Sequence, residues 1–171
     1  VAVDVFGADE QQDHPMTLDR WIALARDVLE DQGVHDDVEV SVVFVDQATI
    51  ASLNERFRSH AGPTDVLAFP IDDVVPTSGR YPDLGGSGPG TDVIDRVPEL
   101  LGDVVICPAV AAEHASDHGV TLDAEIALLV VHGILHLLGM DHEVPAEAEA
   151  MEARERELLA RHYPSPGRTG R

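Results

Sequence analysis

The sequence predicts a single α+β domain in which a small mixed sheet of about four strands is packed with helices. Three observations carry that expectation. Strand-like stretches rich in β-branched residues recur four times, apolar residues between and after them fall at helical spacing, and the elements run β-α-β-α-β-β-α-α-α. A chain of 171 residues suits one domain with a real core, assigned to residues 1–162.

Val1, Val3 and Val5 alternate with small or polar residues, as in a half-buried strand. Thr17 then opens a helix whose Leu18, Trp21, Ile22, Leu24, Ala25, Val28 and Leu29 share one face, and Gly33 ends it. VEVSVVFV at 38–45 is a strand by composition. Asp46 caps a second helix containing Ile50, Leu53 and Phe57. TDVLAFP at 64–70 is a short strand with Pro70 at its end. Residues 71–101 carry prolines, a GGSGPG run and several aspartates, which predicts a long mobile loop. GDVVICP at 102–108 is the last strand. Helices follow at roughly 109–118, 122–138 and 146–161. In the last, Pro145 lies near the first turn, Met151, Leu158 and Leu159 lie on one side, and Glu152–Arg156 and Glu157–Arg161 stand at i,i+4. The tail YPSPGRTGR at 163–171 is expected to be disordered.

The charge is lopsided: 32 acids face 11 basic residues, all arginine, for a net charge of −21. Such a balance ordinarily argues against polyanion binding, because long-range repulsion slows encounter. The absence of lysine is read as a composition bias or salt adaptation. Ile126 to Met140, the longest apolar stretch, is too short and too interrupted to span a bilayer. Neither does VAVDVFGADEQQ have the basic, then apolar, layout of a signal peptide. With a single cysteine, Cys107, the expectation is a cytoplasmic protein.

HGILHLLGMDH at 132–142 carries the chemistry. His132 and His136, four apart on a helix, direct their rings to one point. Gly139 accepts the positive φ of a helix stop, so the chain can reverse and return His142 to the same point. Three neutral imidazoles with a fourth position open form a zinc site of the catalytic kind, although nickel also suits such a set. Asp141 is placed to orient a ring, receive a proton or contact a ligand. A lone histidine here would be read as a hydrogen-bonded core residue, but three in an apolar helix are costly to bury without a purpose. His114 and His118 are also four apart, yet in the polar segment EHASDHG with no third partner downstream they are read as a solvated face. The spacing H-x-x-x-H-x-x-G-x-x-H matches the metzincin peptidase signature except at Gly133, where those enzymes carry the glutamate that acts as base. Glu125 lies on the same stripe as His132 but about 10 Å along the axis, too far to substitute.

In its segments LNERFR (53–58), TDVLAFP (64–70), LGDVVICP (101–108) and VHGILHLLGMDH (131–142), the chain resembles the YbeY family of bacterial endoribonucleases, the rRNA maturation factors. Ala68 where serine is common, Met140 where tyrosine is frequent and the long 71–101 loop are departures that leave the histidines untouched. The resemblance covers residues 38–161. It implies a zincin-like fold, one Zn2+ held by His132, His136 and His142, and cleavage of single-stranded RNA. It further implies maturation of the 3′ end of small-subunit rRNA, ribosome quality control, and partners in the small ribosomal subunit and its assembly proteins, not in membrane or DNA. Arg58 is implied as a residue needed for activity, and its planar guanidinium suits a phosphate. Thr64 and Asp65 are read as a strand-start turn, with Asp65 a possible orienter of Arg58. The base is left open among Asp141, a hydroxide and the RNA 2′-hydroxyl. Two rival functions remain: a non-catalytic, zinc-stabilised ribosome assembly factor, and a zinc peptidase.

Overall fold

The structure, a computed structural model, describes residues 3–34, 37–71 and 99–164, and the four expected strands and five expected helices lie within them. The strands are β1 (Asp4–Asp9), β2 (Val38–Phe44), β3 (Val66–Pro70) and β4 (Glu99–Ile106), in the sheet order β1-β2-β4-β3. β1 runs parallel to β2 and β2 to β4, whereas β3 is antiparallel to β4 and closes one edge. The sheet is therefore mixed. The helices are α1 (Leu18–Asp31), α2 (Gln47–Arg58), α3 (Pro108–His118), α4 (Leu122–Leu137) and α5 (Pro145–His162).

β2 alternates buried and half-buried residues along its length, so its two faces serve two cores. On one face Val38, Val40, Val42 and Phe44 join Val104 and Ile106 beneath α1 and α4. On the other, Ile50 of α2 and Val110 of α3 pack with Leu67, Val105 and Cys107. α4 is the central helix. Ile126, Ala127, Val130, Val131, Ile134 and Leu135 are all fully buried, and each large aliphatic side chain so removed from water contributes roughly 1.5–3 kcal/mol. The apolar stretch excluded above as a membrane span is thus a core helix, with polar α5 covering it through Met151 and Leu158.

Local signals act as their chemistry dictates. The Asp46 carboxylate accepts from the Thr49 amide at 2.8 Å and caps α2. Thr17 opens α1 without a side-chain cap, and Gly33 ends it at φ 84°. Pro145 begins α5, where its missing amide costs nothing.

Four expectations need correction. β1 extends on to Asp9, beyond the valine alternation, because its backbone keeps pairing with β2 as far as Phe44. β4 starts at Glu99, inside the segment assigned to the 71–101 loop, of which 72–98 lie outside the described residues. Gly102 explains the misreading: it sits at φ 144° in a bulge opposite the Glu39–Val40 step, so the strand passes through it and Glu99 and Leu100 still pair with Val38 and Glu39. Tyr163 does not belong to the expected tail: it packs on Trp21 with centroids 6.1 Å apart and takes a 2.6 Å hydrogen bond from Arg20; residues 165–171 lie outside the described residues. In α5, Glu157–Arg161 forms at 3.0 Å, but no Glu152–Arg156 pair does among the described residues. Asp31 takes Arg161 as well and draws in Arg154 and His162, so the ion pairs gather on the α1 side.

Candidate metal centre

α4 ends in a hydrogen-bonded reversal that explains how three histidines meet. The Gly139 amide donates to His136 O and the Met140 amide to Leu135 O, both at 3.0 Å, the two bonds of a Schellman stop. Gly139 sits at φ 93°, open to glycine without strain. The chain turns back, and Asp141 Oδ1 accepts from the His142 amide at 2.6 Å to hold the return. Ring centroids of His132, His136 and His142 then lie 4.6, 5.0 and 5.6 Å apart, and one ring nitrogen from each falls within 4.8 Å of the others.

The electrostatics favour a ligand-ready state. Burial, then the neighbouring imidazoles His132 and His142, lower the His136 pKa to about 4, so near neutral pH its ring keeps a free lone pair. His132 Nδ1 lies 2.5 Å from Glu155 Oε1. That bond fixes the proton on Nδ1 and leaves Nε2 for a metal, the usual way a carboxylate orients a ligating imidazole. Three convergent imidazoles backed by a buried carboxylate fit a borderline divalent ion with an exchangeable position. The residues fit a metal.

Arg58, at the C-terminal end of α2, donates to the Ala68 carbonyl of β3 at 2.5 Å and lies 5.8 Å over the Phe69 ring. Its charge is close enough to help hold His136 unprotonated. Asp65 does not orient it. Asp65 Oδ1 instead receives the Val66 amide at 2.8 Å, and Oδ2 faces His114 Nδ1 at 3.0 Å. Beside Arg58, Phe57 is 50 % exposed, meets Phe69 edge-on at 5.5 Å and carries the Arg56 guanidinium at 5.5 Å.

Asp141 is half-exposed beside His142, its Oδ1 committed to the turn and its Oδ2 without a hydrogen bond among the described residues. Gly133 faces away from the histidines: a Cβ there would stand within 3.0 Å of Val104 Cγ2 and nearer still to Cγ1. The position that carries the base in metzincins is here pressed against β4.

The sequence reading missed Glu155. Its signal was present, an acid at i+4 from Met151 and i−3 from Leu158 on the buried side of α5. The reading of His114 and His118 as merely solvated also needs correction. They face Asp65 and Glu125, partners supplied by β3's approach and by α4 rather than by the segment downstream.

A family profile described as Endoribonuclease YbeY matches residues 7–163. Curated proteins named Endoribonuclease YbeY from Nocardioides sp. and Beutenbergia cavernae are 44% and 46% identical, over 86% and 85% of this chain and 90% and 89% of theirs. One from Mycolicibacterium gilvum is 44% identical over 81% of this chain and 71% of its own. The solution structure of TM1509 from Thermotoga maritima superimposes with a TM-score of 0.53 at 24% identity, covering 98% of this chain and 99% of that one, and so shares the fold.

Proposed function

The chain belongs to the Endoribonuclease YbeY family, and from that premise we propose a zinc-dependent enzyme that cuts single-stranded RNA and matures the 3′ end of small-subunit rRNA. Cleavage of RNA phosphodiester bonds is the family's activity; the ion, the strand preference and the ribosomal role are our assignments. The observation that carries the zinc reading is the convergence of His132, His136 and His142 with Glu155 behind His132. Bound there, zinc would supply Lewis acidity toward a phosphoryl oxygen and a nucleophile usable at neutral pH.

The chain's own residues account for the rest. Arg58 is held by Ala68 O through one guanidinium nitrogen, which leaves the remaining donors of its fork for a non-bridging phosphate oxygen. Asp141, beside His142, is our candidate to hold a proton during cleavage, with a hydroxide or the RNA 2′-hydroxyl as the alternatives. Phe57 offers a half-exposed ring on which an unpaired base can stack, flanked by Arg56 and Arg58 to meet its phosphates. A base within a duplex presents no free face, which favours single strands. Small-subunit rRNA and its assembly proteins supply the placement that a −21 chain does not obtain from its own long-range field.

The peptidase alternative loses its central part at Gly133, where Val104 leaves no room for a glutamate. The test is cleavage of a labelled single-stranded RNA by the wild type, Arg58→Glu and His136→Ala, purified identically, with metal analysis of each. We expect cleavage by the wild type alone, lost on chelation and restored by Zn2+, with one ion retained at the trio in Arg58→Glu. Equal cleavage by His136→Ala would sink the reading; a zinc-loaded wild type with no cleavage would favour the non-catalytic assembly factor.

A further inference from the structure

A second group of metal-competent side chains lies outside the histidine trio. Asp65 just before β3, His114 on α3 and Glu125 in the first turn of α4 each place one ligand atom within 4.8 Å of the other two. Among the described residues, this and the trio are the two groups of histidine, cysteine, aspartate or glutamate that converge so closely. His114 Nδ1 is 3.0 Å from Asp65 Oδ2, and His118 Nδ1 is 3.2 Å from Glu125 Oε2.

Glu125 makes the arrangement more than a surface pairing. Its residue is 3 % exposed, yet no arginine pairs with it or with Asp65 among the described residues. Two carboxylates from different elements meet there with imidazoles as their partners, Glu125 buried and Asp65 partly so. A buried carboxylate is costly to keep ionised without a cation, and a second carboxylate beside it adds repulsion. A divalent ion answers both costs at once.

We propose that Asp65, His114 and Glu125 bind a second divalent cation, with His118 able to swing in as a fourth ligand. Two carboxylate oxygens with imidazole nitrogen suit a borderline first-row ion such as Zn2+, Mn2+ or Co2+ better than a soft one. The site is separate from the trio. Glu125 and His132 are seven residues apart on α4, about 10 Å along its axis, far beyond the roughly 4 Å spacing of two ions that share one substrate phosphate. Its place in the fold gives it a structural consequence. It joins the start of β3 to α3 and α4, and β3 carries the Ala68 carbonyl that holds Arg58. The ion therefore steadies the edge strand on which the phosphate-facing arginine is braced.

Stoichiometry tests this. The full chain, stripped with chelator, is dialysed against Co2+ in excess Mg2+, so that its acidic surface is occupied, and bound cobalt is measured by elemental analysis and visible absorption. Two Co2+ per chain are expected for the wild type, and one each for His114→Ala, for Glu125→Gln and for His136→Ala. In the first two variants the remaining ion keeps the absorption of the histidine trio; in the last that spectrum is the one lost. One ion in the wild type, or two in both His114→Ala and Glu125→Gln, overturns the proposal. Glu125→Gln keeps the buried shape should the alanine variant fold poorly. Because His136→Ala reports on the trio separately, failure of this site is distinguishable from failure of the zinc reading above.

Discussion

Replacing Gly133 by alanine sets two effects of opposite sign against each other. Helix propensity alone favours the change, since alanine is better than glycine within a helix by about 1 kcal/mol. Packing opposes it. The new Cβ would lie 3.0 Å from Val104 Cγ2 and 3.3 Å from Val104 Cβ, with Cγ1 closer again. The clash is with the two methyls, and Val104 is fully buried between Val42 of β2 and Ala68 of β3, which leaves the isopropyl group little room to rotate away. α4 must lift from the sheet, carrying His132 with it. Overpacking of this kind costs about 1–3 kcal/mol. A clash with both methyls of a fully buried side chain belongs at the upper end, so the net loss expected is about 2 kcal/mol. The assay is urea unfolding of the chelator-treated protein, in the wild type and in a Val104→Ala background. Removing both Val104 methyls opens the space, so there Gly133→Ala should be neutral or stabilising, with a coupling of about 2–3 kcal/mol. If Gly133→Ala stabilises the chain while Val104 is present, the packing argument is wrong and propensity governs.

Other perturbations read other parts of the site. Glu155→Gln should weaken zinc binding about 10–100-fold in competition with a chelating indicator, because His132 loses the carboxylate that sets its ring; unchanged affinity would leave Glu155 a bystander. Phe57→Ala should raise KM for single-stranded RNA roughly 5–150-fold, the equivalent of about 1–3 kcal/mol of stacking, with kcat nearly constant, and an unaltered KM contradicts the stacking role. In the metal-free protein, the His136 pKa of about 4 lies below its ordinary 6.5, so between those values the unfolded chain binds a proton that the folded chain does not. Stability should therefore fall as pH drops through that window, and the fall should be shallower in His136→Gln; parallel curves would refute the assignment. With two arginines meeting phosphate, the slope of log affinity for single-stranded RNA against log salt should be roughly −1.4, and a slope several times steeper would point to a basic surface elsewhere.

What the sequence made legible was whatever depends on short-range order. The trio is set by a helical spacing, a glycine stop and three further residues, and each of those has a geometric meaning before any fold is known. The α+β class and the number of elements follow from periodicity in the same way. Less was legible where partners come from distant segments. Glu155 reaches His132 across 23 residues of chain, and Asp65 meets His114 across 49. Arg58's anchor is a backbone carbonyl, for which Ala68's side chain gives no sign. Gly102 misled because a glycine at a strand's edge and a glycine in a bulge look alike until the register is known.

How a chain of −21 approaches RNA is resolved by where its positive charge is left uncancelled. Arg20 is neutralised by Asp123, and Arg154 and Arg161 by Asp31 and Glu157. Among the described residues no carboxylate pairs with Arg26, Arg156, Arg56 or Arg58, and the last two lie by the exposed Phe57. Their guanidiniums rest on Phe57 and Phe69, and Arg58 also on a carbonyl, contacts that position a cation without consuming its charge. A surface hollow elsewhere is walled by Asp13, Asp46, Glu113 and Asp117, which repel phosphate. The attraction that Arg58 offers beside His136 is thus short-ranged, and at physiological ionic strength it fades within about 8 Å. Such a surface does not gather RNA from a distance. Under the proposed function it engages a strand already delivered to it, and a ribosomal partner presenting the rRNA end is the delivery which that reading calls for.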